Sequence, residues 1–260
     1  MQIAEIITFL DQTFHPEYQE DYDNAGFLMG DPQQPVSGVL VALDLTPQVI
    51  DEARAKKCNL IVTHHPFIFG GIKRITTQNT VGRMILSLAE HHIAVYAAHT
   101  NLDNLKEGVN GILAEKLGMT ECHILKPMSI DPNVGAGMVG TLPHPIAMQE
   151  FLQQVKQTLH LPVLRTSAPC KTTVRKVAIC GGAGSFLIAD AIGAKADIYL
   201  TGDLKYHDFQ RAENRILLAD IGHYESEQFS KELIYSIISK KFSTFVCQIA
   251  DSDNGYICYI

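Results

Sequence analysis

No apolar run in the 260 residues approaches the roughly 18 that a membrane-spanning helix needs. Residues 1–11 hold no basic segment leading into an apolar one, so neither anchor nor leader is expected and the chain reads as soluble and cytoplasmic. Paired cysteines are missing as well. Cys58, Cys122, Cys170, Cys180, Cys247 and Cys258 never form a Cys-x-x-Cys unit, which excludes a thiolate structural zinc site and predicts reduced, buried thiols. Positive charge is in deficit, with 21 Lys and Arg against 28 Asp and Glu and a net charge of -7, so sequence-independent binding to duplex nucleic acid is not expected. A phosphate or nucleotide could still bind through metal or backbone amides. No internal repeat is visible, and a 46% hydrophobic, 19% charged composition excludes disorder and coiled coil.

What is present is an alternation of short apolar runs and amphipathic stretches. Residues 38–43 (GVLVAL), 60–63 (LIVT) and 93–98 (IAVYAA) predict strands, with helices across 47–57, 79–90 and 107–117. Thr46-Pro47 supplies an N-cap and first-turn proline, and Gly118 ends the last of these helices. Residues 127–145 carry four prolines and three glycines and read as an irregular crossover. The alternation then resumes, with strands at 176–180, 198–201 and 216–219, helices across 148–159 and 226–240, and a β segment from Thr244. The expected fold is α/β, with two α/β domains (1–126 and 127–260) whose mostly parallel sheets are flanked by helices.

In such sheets ligands collect beyond the carboxyl ends of the strands. His64 and His65 follow the second strand; His99, Thr100, Asn101 and Asp103 follow the third; Asp203 and His207, then Asp220, His223 and Glu227, follow two later ones. Imidazole with carboxylate suits zinc, iron, manganese or nickel. Adjacent side chains leaving a strand diverge, so His64 and His65 more easily serve two metals than one. His223 and Glu227 are four apart and share a helix face, where a glutamate can bridge two cations, and Asp103 adds a carboxylate. Each piece also has a plainer reading. The histidine pair could be loop chemistry, the His/Glu pair a solvated face, and Asp103 a cap or turn residue. Gly181-Gly182-Ala183-Gly184-Ser185 is either an anion cradle at a helix start or a tight turn.

Asp23-Asn24-Ala25-Gly26, Ile61-Val62-Thr63-His64-His65-Pro66-Phe67, His99-Thr100-Asn101-Leu102-Asp103, Thr201-Gly202-Asp203 with His207, and Gly222-His223-Tyr224-Glu225-Ser226-Glu227 together resemble the GTP cyclohydrolase I type 2 homologue family of dinuclear metal-centre proteins. The resemblance implies two α/β domains with the metal site in the interdomain cleft, two divalent ions per chain, and a homohexameric toroid. It implies His64, His65, Asp103, His223 and Glu227 as metal ligands, Glu227 bridging. Asp23-Asn24-Ala25-Gly26, an ordinary turn by its chemistry, would then rim the site. His99 and His207 are candidates for proton transfer or substrate contact.

Two functions follow. One is a metal-dependent hydrolase of a nucleotide-like substrate, GTP cyclohydrolase-like by resemblance or a phosphoesterase. The other is a non-catalytic metal-binding or regulatory ring-shaped scaffold.

Overall fold

The computed structural model describes residues 1–260. Its elements in chain order are α1 (Ile3–Phe14), β1 (Gly26–Met29), β2 (Gly38–Ala42), α2 (Pro47–Ala55), β3 (Leu60–Thr63), α3 (Thr80–Glu90), β4 (Ala94–Ala97), α4 (Thr100–Asp103) and α5 (Val109–Lys116). There follow β5 (Thr120–Pro127), β6 (Gly135–Ala147), α6 (Met148–Thr158), β7 (Arg165–Thr166), β8 (Thr173–Ala183) and α7 (Ile188–Gly193). The chain continues through β9 (Ile198–Gly202), α8 (Tyr206–Gln210), β10 (Leu217–Asp220), α9 (His223–Glu227), α10 (Ser230–Lys241) and β11 (Val246–Ile249). No helix is long and apolar enough to cross a membrane.

These elements form two compact units, each with its own sheet. The first unit comprises Met1–Leu102 and Ser230–Tyr256. Its sheet runs β1-β4-β3-β2-β11, parallel except for the antiparallel edge strand β1. β2, β3 and β4 are buried along their whole length, which is why they read as unbroken apolar runs. Leu40, Ala42, Ile61 and Val95 pack with Val49, Ile50 and Ala53 of α2 and Met84 and Leu88 of α3. Thr46 caps α2 by accepting from the Val49 amide, and Asn79 caps α3 by accepting from Gly82.

The second unit comprises Asp103–Phe229 and Ile257–Ile260, and its sheet is mixed in the order β5-β6-β8-β9-β10-β7. β8, β9 and β10 are parallel; β5, β6 and β7 join antiparallel. Val177 and Ile179 face Phe151 and Val155 of α6, whereas Ala178 and Cys180 face Leu187 and Ile188, the alternation a pleated strand requires.

Four expectations need correction. The break does not fall near residue 126: Leu113 and Ala114 of α5 pack in the second unit's core, so the division comes at Leu102/Asp103 and takes Asp103 with the second unit. Nor does the second unit run unbroken to the C-terminus, since Ser230–Tyr256 returns to the first unit, where β11 pairs parallel to β2. Residues 127–145 are not an irregular crossover but mostly strand. β6 pairs regularly up to Thr141 and resumes at Ile146, so Pro143 and Pro145 fall where no ladder donor is needed. The six cysteines are all free, but only Cys58 and Cys180 are buried, and Cys258 is exposed.

The returning segment is fastened by Glu52 on α2, which accepts from the Asp251 and Ser252 amides and the Ser252 hydroxyl and pairs with Lys56. Burial raises its carboxyl, but these partners outweigh burial and hold it down at about 2, against 4.5 for an unconstrained glutamate. The stabilisation is therefore full above pH 4.5 and lost as the pH falls toward 2. Glu52→Gln is expected to cost about 1–3 kcal/mol at neutral pH. In denaturant titrations across pH, the gap to wild type should close below pH 4.5; a gap independent of pH would rule out the carboxylate as its source.

Candidate metal centre

The first unit gathers its histidines at the carboxyl ends of β3 and β4. The ladder between β2 and β3 continues past the strands, with His64 N donating to Ala42 O and His65 N to Leu43 O, so both histidines are held as extensions of the sheet. His64 is wholly buried and its Nδ1 lies 2.7 Å from Ala98 O. A carbonyl only accepts, so Nδ1 carries the hydrogen and the lone pair of the neutral ring sits on Nε2. His65 is held the same way by Asp44, at 2.9 Å, and His99 by Asp23, at 2.7 Å. The His64 and His65 rings are 5.0 Å apart, and each is 5.4 Å from the His99 ring.

Asp23 is the organising residue of this corner. Its side chain is fully buried and accepts from the amides of Asn24 and Thr100 and the Thr100 hydroxyl as well as from His99. Burial would raise its carboxyl, yet these donors win and hold it down at about 2. Asn24 donates its amide to Ile68 O, fixing the loop after His65. The motif that reads as an ordinary turn thus fastens both histidine-bearing loops.

The second unit supplies the carboxylates. His223 opens α9 and Glu227 closes it, with His223 Nε2 3.0 Å from Glu227 Oε2, as the four-residue spacing predicts. Asp203 Oδ2 holds His223 Nδ1 at 2.7 Å, so this imidazole too directs Nε2 away from its anchor. Two donor atoms each about 2.1 Å from one ion stand roughly 3.0–3.4 Å apart, and the His223–Glu227 separation fits that geometry. The Asp103 and Glu227 carboxylates lie within 4.8 Å of each other, and Glu227 is only 3% exposed. Two acidic groups so close, one deeply buried, could hold a cation between them. Burial pushes the Cys180 thiol up, and the charges of Asp103 and Glu227 add to the shift, so Cys180 remains a neutral thiol.

The glycine run does not cradle a phosphate through its first amides. Gly181 N donates to Asn110 Oδ1 and Gly182 N to Ser226 Oγ. Its role is steric. Gly182 has φ +62°, and a Cβ there would collide with Glu227 Oε1. Asn110 also donates to Asp103 O, tying that residue's backbone to the glycine turn.

Of the residues singled out from sequence, His64, His65 and His99 are brought together in the first unit, and Asp103, His223 and Glu227 in the second. His207 joins neither group. It is exposed on α8, edge-on to Tyr206. Sequence reasoning counted Asp203 among the strand-end residues and Asp23 in a motif at the rim without making either an anchor for a ring, and it passed over Asp44. Asp44 lies two residues past the end of β2, where the strand-end rule would have found it.

The fold and donor groups describe an α/β protein whose histidines and carboxylates could hold metal. The Duf34/NIF3 (NGG1p interacting factor 3) model matches residues 1–254, and the chain belongs to this family. A Clostridium perfringens protein named GTP cyclohydrolase 1 type 2 homolog is 35% identical over 230 residues, 87% of either chain. A Lactococcus lactis protein of the same name is 34% identical, over 88% of each. Among solved structures, Staphylococcus aureus SA1388 matches with TM-score 0.92 and 28% identity, covering 100% of this chain and 99% of that one. Reduced HcgD from Methanocaldococcus jannaschii matches with TM-score 0.81 and 28% identity, covering 95% and 97%.

Proposed function

We propose that the chain is a dinuclear metal protein that hydrolyses a nucleotide-like substrate, with His64, His65, Asp103, His223 and Glu227 as ligands of two divalent ions and Glu227 common to both. The observation that carries the reading is the fixed tautomer of His64, His65 and His223, each with Nδ1 engaged by a carbonyl or carboxylate. Such anchoring is the usual outer layer of a metal-bound histidine. Glu227 suits the bridging role because it stands beside both His223 and Asp103. Bound divalent ions would supply Lewis acidity and bring the pKa of water toward neutrality.

The chain's own residues do the rest. Asp44 and Asp203 fix the orientation and tautomer of the His65 and His223 rings. Asp23 does the same for His99, leaving Nε2 as the atom that accepts a proton. His207, exposed on its short helix, is better suited to touching substrate than to holding metal. The nucleotide-like substrate rests on the relatives' name, GTP cyclohydrolase 1 type 2 homolog. The toroidal homohexamer likewise rests on family membership.

Elemental analysis of gently purified protein should approach two equivalents of metal, and saturation at one would sink the dinuclear reading. The loaded protein should then turn over GTP or a simple phosphoester, with His64→Ala as the blank. Two bound metals with no turnover across nucleotides and phosphoesters would leave the non-catalytic scaffold in its place. Light scattering showing a monomer at micromolar concentration would remove the ring.

A further inference from the structure

Between β3 and α3 the chain makes a loop that neither the core nor the proposed ligands account for. Its two ends are fixed. Asn24 donates to Ile68 O at one, and at the other Arg83 donates to Thr77 O while Gly82 lies too close to Thr76 O to admit a Cβ. Residues 69–75 between them are all exposed and make no hydrogen bond. One ring contact touches the histidine corner, Phe69 edge-on to His99 at 5.7 Å. Gly70 and Gly71 have open space where a side chain would stand, and neither has a positive φ. Neither packing nor turn geometry requires glycine there, so what the pair supplies is backbone freedom. The remaining side chains are not those of a solvated connector. Phe69, Ile72 and Ile75 are 57%, 41% and 50% exposed, and beside them Lys73 and Arg74 form no ion pair in a chain of net charge -7.

We infer that residues 69–75 are a substrate loop, in which Phe69 lies against the ring of a nucleoside phosphate and Lys73 and Arg74 take its phosphate oxygens. An acidic chain repels a polyphosphate at long range, so two neighbouring cations without acidic partners are where such an anion is drawn in. Arginine offers a planar fork that grips two phosphate oxygens, and lysine adds a compact charge with three donors. Four residues carry the chain from Phe69 to Lys73, at most about 14 Å, and a nucleoside triphosphate is of comparable length. The exposed phenyl ring gives the base an apolar surface, and Ile72 and Ile75 lose water when the loop orders around the ligand. The identity of the nucleotide rests on the hydrolase reading. The phosphate contact stands on the loop residues alone.

The test uses the metal-loaded full chain, with GTP, guanosine and inorganic tripolyphosphate as probes and the metal content measured throughout. Trypsin cuts after lysine and arginine, so without ligand it should cut first at Lys73 or Arg74. GTP and tripolyphosphate should slow that cut, and guanosine should not. Lys73→Gln combined with Arg74→Gln should weaken calorimetric binding of both phosphate compounds by about a hundredfold while the metal content stays the same. Exchanging the two cations, Lys73→Arg with Arg74→Lys, should restore most of the binding because both charges remain. Wild-type affinity in the glutamine variant overturns the inference, as does a wild type that binds no phosphate compound or that merely yields its metal to tripolyphosphate. A loop that trypsin leaves whole without ligand also overturns it, and points to a second copy of the chain as its cover. If the glutamine variant turns over GTP with an unchanged KM, the hydrolase reading stands and the loop's role falls. If tripolyphosphate binds through Lys73 and Arg74 but no nucleotide is turned over, the loop's role stands and the hydrolase reading falls.

Discussion

Glu227→Gln is expected to loosen both metal ions together, by roughly a hundredfold or more each, since even changes in the layer behind a ligand cost 10–100-fold. The amide keeps the size of the side chain but loses the charge and the equivalence of its two oxygens. Glu227 is the carboxylate that stands beside both His223 and Asp103, so its change reaches both groups. His64→Ala or His65→Ala should instead weaken one ion more than the other. Any turnover should fall with Glu227→Gln even when excess metal restores part of the occupancy. Metal titration of the variants distinguishes the cases. Two ions bound to Glu227→Gln with wild-type affinity would mean that α9 contributes at most one ligand, and the bridging role would be gone.

The second large effect is expected from adding a single methyl group. Gly182→Ala forces an alanine into φ +62° and drives its Cβ against Glu227 Oε1. The left-handed backbone costs about 1–2 kcal/mol and the overpacking about 1–3 more. The second unit should lose roughly 2–5 kcal/mol of stability by that addition, and its metal affinity should fall with it. Gly193→Ala provides the control, because a Cβ there meets nothing within 4 Å and lies in a helix. It should leave stability unchanged or raise it by up to about 1 kcal/mol. If Gly182→Ala unfolds at the wild-type denaturant midpoint, the close approach of Glu227 to this turn is not a constraint on the fold.

Much of the candidate site was legible because it sits on elements with strong local signals. β3 and β4 are continuous apolar runs, so the residues that follow them could be found by rule, and His64, His65, His99 and Asp103 were. The His223–Glu227 pairing followed from helix periodicity alone. Asp23 was not legible as an anchor, since its partners His99 and Thr100 are 76 and 77 residues away and a turn sequence gives no sign of them. The strand character of residues 135–147 was hidden by Pro143 and Pro145, which fall in a break of the ladder that only the register reveals. The unit boundary was hidden for a related reason. A proline-rich stretch signals a gap in hydrogen bonding, and here the gap lies inside a strand. Only the packing of Leu113 and Ala114 shows where one core ends and the other begins.

The return of residues 230–256 to the first unit sets an order of maturation during synthesis. As the chain leaves the ribosome, the first sheet must wait with one edge of β2 unpaired until β11 emerges more than two hundred residues after the N-terminus. The second unit meanwhile has its whole sheet by Asp220 and most of its core by Phe229. The N-terminal half of a newborn molecule is therefore the later to be finished. Its final knot is Asp253, which accepts from the Leu43 amide and pairs with Lys231, so a stalled or clipped product would keep the inserted unit and lose the one that surrounds it in sequence.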